Sequence, residues 1–94
     1  MIKGFCAALH MMPNFYHWRA HAGAEVDIIV ELDGIFYPIE VKAATTVNKN
    51  DIRGIAAFKE TYPQLRIAHG IVIYAGDECF RITKDIIAVP WNLQ

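Results

Sequence analysis

Long apolar runs are missing from this 94-residue sequence. Without about 18 consecutive apolar residues, no segment has the character of a membrane-spanning helix. Cysteine is scarce: Cys6 and Cys79 lie far apart and form no Cys-x-x-Cys pair. They read as free thiols of a reducing, cytoplasmic compartment, with one disulfide at most. Charge of one sign is also lacking. The net charge of −1 provides no global positive field, so contact with nucleic acid must come from a local patch or a partner. No Gly-x-x-x-x-Gly-Lys phosphate loop occurs, and there are no repeats, linkers or low-complexity stretches. The opening "MIKGFCAALHMMP" has one lysine and a short apolar run but no small-residue cleavage site, which reads against a signal peptide.

What is present suits one small globular domain. The apolar fraction of 54% is ample for a core, although a chain this short buries only about two-thirds of its unfolded surface. Residues 1–13 read as the remnant of an N-terminal helix stopped at Pro13, and residues 14–94 as the domain proper. "NFYHWR" (14–19), "AEVDIIVEL" and "IFYPIEVK" have strand character, the last two joined by Asp33-Gly34, the strongest short hairpin signal. "NKNDIRGIAAFKETYP" predicts a helix with Asn48 or Asn50 as N-cap. Its apolar stripe is Ile52, Ile55, Phe58 and Tyr62, and Pro63 stops it; Gly54 is its one weak position. "GIVIYAG" (70–76) predicts a buried parallel strand, and "CFRIT" and "IIAVP" a closing antiparallel pair. The expected fold class is α/β (α+β), a mixed sheet with a β-β-β-α-β-β core and a crossover through the helix.

A two-residue Asp33-Gly34 loop fixes the hairpin register. Leu32 faces Ile35, and cross-strand partners have numbers summing to 67. Alternation then assigns Val26, Ile28, Val30, Leu32, Ile35, Tyr37, Ile39 and Val41 to one apolar core face. The other face receives Glu25, Asp27, Ile29, Glu31, Phe36, Pro38, Glu40 and Lys42. Asp27 therefore opposes Glu40, and Glu25 opposes Lys42. Facing carboxylates are destabilising unless compensated. A divalent cation held by both is one compensation, and hard oxygen ligands suit Mg²⁺ or Mn²⁺. A solvated face with screened charges, plus a Glu25–Lys42 ion pair, is the other reading of the same residues. His17 and His21, four apart in a strand-to-loop stretch, read as ordinary histidines. Trp18 and Trp91 are expected at the edge of the core.

Asp27, followed after twelve residues by Glu40-Val41-Lys42, resembles the D…(D/E)-x-K signature of the PD-(D/E)XK nuclease superfamily, which has the restriction-endonuclease-like fold. The ordered blocks "FYHWR…GAEVDIIVELDG…YPIEVKAA…DIRGIAAFKETYP…GIVIYAGD…IIAVPWNL" are similar to one branch of it. That branch is the C-terminal domain of unknown function found behind the ATPase module of prokaryotic AAA+-type ATPases. The resemblance implies that Asp27 and Glu40 bind Mg²⁺ or Mn²⁺. It implies that Lys42 assists the attacking water and stabilises phosphate charge, with DNA as the substrate. Glu25 is a possible auxiliary acid, and Lys49 and Arg53 are weaker phosphate-contact candidates. The chain departs from the pattern in two places. Residues 1–13 contain no acid, and the glutamine and tyrosine of the following helix in RecB-like nucleases are not evident in "DIRGIAAF". An incomplete N-terminal helix and a small core predict a homodimer. The alternative function is an inactive docking, regulatory or oligomerisation module of such an ATPase.

Overall fold

The computed structural model describes residues 13–91; the expected N-terminal helix remnant, with Cys6 and His10, lies outside the described residues. Among the described residues, the strands are β1 (Asn14–Arg19), β2 (Glu25–Leu32), β3 (Ile35–Val41), β4 (Arg66–Ile67), β5 (Gly70–Tyr74), β6 (Phe80–Thr83) and β7 (Ile86–Pro90). A 3₁₀ turn (Lys49–Ile52) leads into helix α1 (Arg53–Thr61) between β3 and β4. The strands form one mixed sheet of order β1-β2-β3-β5-β7-β6, with the two-residue β4 paired to β3. β1, β2 and β3 are antiparallel neighbours, β3, β5 and β7 run parallel, and β6 returns antiparallel to β7. The expected α+β mixed sheet is therefore present, extended by β4, which is too short to leave a periodic signal.

The hairpin register is as expected, from Leu32↔Ile35 to Ile28↔Ile39. Its turn has φ of 53° at Asp33 and 79° at Gly34, the two positive values that a tight hairpin connection needs and that Asp-Gly adopts at little cost. Pro38, which has no N–H to donate, falls between the last β4 partner at Phe36 and the first β5 partner at Ile39.

The assignment of residues to faces needs correction. Against β1, the pairing changes from Tyr16↔Ile29 to Trp18↔Val26, so two β2 residues, Asp27 and Ile28, oppose His17 alone. This β-bulge reverses the alternation at one point of β2. Val26 and Ile29, three apart, therefore both join the core beneath α1 with Ile55, Phe58, Val72 and Ile86. Val30, Leu32 and Ile39 form a second cluster, flanked by Tyr37, Ile71 and Ile73. Ile28 and Val41, expected inside, are 37% and 54% exposed. The face carrying Ile29, Phe36 and Glu40 is the one the helix covers.

Helix α1 buries Gly54, Ile55 and Phe58, which follow helical spacing. Gly54 lies against the backbone carbonyl of Glu25, with no space for a Cβ atom. What reads in sequence as a weak helical position is where helix and strand meet most closely. Trp18 packs edge-on to Phe58 at 5.4 Å and to Tyr62 at 6.3 Å, as expected for the core edge, whereas Trp91 is 72% exposed.

Candidate functional site

The β2–β3 pairing ends at Ile28↔Ile39, one step before the two acids. Beyond that point the Val41 N–H donates to Oδ2 of Asp27 at 3.5 Å, so a side-chain carboxylate stands where a ladder carbonyl would. Asp27 is exposed and Glu40 half-buried. Burial first, then the hydrogen bond and the negative charge of Asp27, pushes the Glu40 carboxyl up to about 8. Near neutral pH this favours the protonated form of Glu40 beside Asp27. The neighbouring Asp27 adds to the effect of burial.

Beside them opens a cleft of about 440 Å³, lined among others by Glu25, Glu40, Lys42, Asp51, Arg53 and Gly54. Glu40 comes from β3, Lys42 from just beyond its end, and Asp51 and Arg53 from the start of the helix. Lys42 donates its backbone N–H to the Ile73 carbonyl at 2.8 Å, and its ammonium group pairs with Asp51. Lys49 is not among the lining residues, and neither is Asp27, whose carboxylate meets the site through Glu40. The expected Glu25–Lys42 pairing gives way to two separate pairs. Glu25 takes Arg19, at 3.0 Å to the guanidinium, with His17 at 3.9 Å.

Asp51 is the residue that motif reading passed over. It completes a capping box with Asn48: the Asn48 N–H donates to Oδ2 of Asp51 at 2.7 Å, and the Asn48 side chain accepts from the Asn50 N–H at 2.9 Å. Burial alone would raise the Asp51 carboxyl, but the Asn48 N–H and the Lys42 ammonium outweigh it and hold it below the ordinary carboxylate value. An acid three residues after an N-cap asparagine is itself a sequence signal, and it could have pointed to Asp51.

Among the described residues, no three His, Cys, Asp or Glu side chains converge to hold a metal ion. A closed all-protein cage is thus not the arrangement here. Glu40 in the open cleft, with Asp27 next to it outside the lining, fits a cation that takes one or two protein oxygens and fills the rest of its shell with water, as Mg²⁺ does.

The family described as "Domain of unknown function (DUF4143)" matches residues 4–93. Uncharacterized proteins of Mycobacterium tuberculosis and Mycobacterium bovis are each 30% identical over 81 residues, or 85% of this chain. The chain spans about 17% of the length of these relatives.

Proposed function

The chain belongs to the DUF4143 family, and we propose that it is a nuclease-like domain whose cleft binds Mg²⁺ or Mn²⁺ for phosphodiester hydrolysis in DNA. The observation that carries this reading is the placement of Asp27 and Glu40 on neighbouring strands, with the Asp27 carboxylate at the Val41 N–H, beside a cleft lined by Glu40 and Lys42. Asp27 and Glu40 would hold the cation, and its binding would require Glu40 to be deprotonated. When bound, the cation would supply an activated water and neutralise phosphate charge. Lys42 stabilises charge on the phosphate and orients the water, and Arg53, on the cleft wall, contacts phosphate. Glu25, engaged by Arg19, acts at longer range. In the longer relatives, such a domain would work beside a AAA+-type ATPase module.

A second reading, an inactive docking or homodimer-forming module of such an ATPase, draws support from the exposed Phe15, Ile28 and Val41. Thermal melts with Mn²⁺ separate the two. At about ten times its dissociation constant, the cation should stabilise the fold by about 1.4 kcal/mol. Asp27→Asn should abolish that rise. No shift in the wild type at millimolar Mn²⁺ would leave the docking reading standing.

A further inference from the structure

Of the three ion pairs among the described residues, two are on the surface. Arg19 and Glu25 have side chains 68% and 42% exposed, and His17–Glu25 is similar at 54% and 42%. Lys42 and Asp51, at 20% and 18%, are withdrawn from water. A pair so placed is weakly screened, and its partners are held to one geometry. The backbone of Lys42 is already fixed to β5, so the position of the ammonium group depends on the lysine side chain and on what receives it. The receiver is Oδ2 of Asp51, the same oxygen that accepts the Asn48 N–H. Asp51 is fixed in turn by the capping box at the base of α1, and α1 is seated on β2 through Gly54.

We propose that Asp51 is a positioning residue, which holds the Lys42 ammonium group at the cleft and joins its placement to the docking of α1. This rests on the nuclease-like reading of Lys42. Asp51 acts through Lys42. It keeps the lysine from swinging to solvent or across to the Asp27–Glu40 pair, where it would compete with a cation for the same oxygens.

Trace acetylation of the intact chain, with each lysine followed by mass spectrometry, tests the placement. Exposed Lys84 serves as the internal reference. In the wild type, Lys42 should react more slowly than Lys84. Asp51→Asn keeps an oxygen for the Asn48 N–H but loses the charge, and should raise the Lys42 rate roughly tenfold. Asp51→Glu should restore most of the protection. In Mn²⁺-dependent cleavage of linear DNA, Asp51→Asn should lower kcat by a similar factor with KM little changed. Combined with Lys42→Ala, it should cost nothing further. Equal labelling of Lys42 and Lys84 in the wild type would overturn the proposal, and that comparison needs no variant to fold. Additive losses in the double variant would also overturn it. Absence of cleavage by the wild type would remove the nuclease reading, while the labelling still decides where Lys42 is held.

Discussion

The two ends of the β2–β3 hairpin are built on opposite plans. At the turn end, Asp33 and Gly34 take positive φ, every residue finds its expected partner, and Leu32 is buried among aliphatic neighbours. At the open end, the ladder stops at Ile28↔Ile39 and a bulge inserts an extra residue. There the Asp27 carboxylate takes a backbone N–H that the strand no longer serves. The turn end is specified by local conformational preference. The open end depends on packing from outside the hairpin, through the close approach of Gly54 to the Glu25 carbonyl. Acids that repel one another are tolerated there because the helix and the rest of the sheet hold the strands in place.

Variants at each end should separate these plans. Gly54→Ala should have the largest effect, about 3 kcal/mol lost in a denaturant melt, because the obstructing atoms are backbone and cannot rotate away. It should also weaken the response to Mn²⁺, since the lifted helix no longer supports the open end. A variant as stable as wild type would break the comparison. Gly34→Ala at the turn end should cost about 1 kcal/mol, from the positive φ alone. Its Mn²⁺ response should be unchanged.

Glu40→Gln should act chiefly through the pH dependence of stability. The folded carboxyl titrates at about 8 against an ordinary 4.5. Between these values the folded chain holds a proton that the unfolded chain has released. The stability this contributes is complete below about pH 4.5 and is lost as pH rises to about 8. The metal-free glutamine variant should lack that slope and exceed the wild type above pH 8. Parallel melting curves from pH 5 to 9 would refute the protonated Glu40. Arg19→Ala should change least, within about 0.5 kcal/mol, because its pair with Glu25 is exposed. A loss beyond about 1 kcal/mol would bring Glu25 into the electrostatics of the cleft.

Much of this architecture is legible in the sequence, and the illegible parts have a common cause. Asp33-Gly34 admits essentially one turn, so the register, and with it the meeting of Asp27 and Glu40, follows from local residues. The helix and the parallel β5 follow from periodicity and an unbroken apolar run. The bulge does not, because it is a mismatch between β1 and β2 that neither strand encodes alone. That is why Val26 and Ile28, expected on one core face, part company: Val26 joins Ile29 beneath the helix and Ile28 is exposed. The hairpin register pairs Glu25 with Lys42, but Glu25 takes Arg19, its ladder partner on β1, and Lys42 takes Asp51, off the ladder. Asp51 escaped notice because its sequence context marks a helix cap, while its role toward Lys42 arises only when the cap is brought beside β3.

The bulge has a bearing on how copies of this chain meet in concentrated solution. β1 forms one margin of the sheet and carries exposed Phe15 and Tyr16, a profile that invites strands of other molecules to add on. An inserted residue increases local twist, and a twisted margin offers a poor template for a second strand. The same irregularity that moves Val26 into the core thus also guards the sheet against open-ended growth into aggregates. Self-association of this chain would then proceed through the exposed side chains of Ile28 and Val41 rather than by extending the ladder.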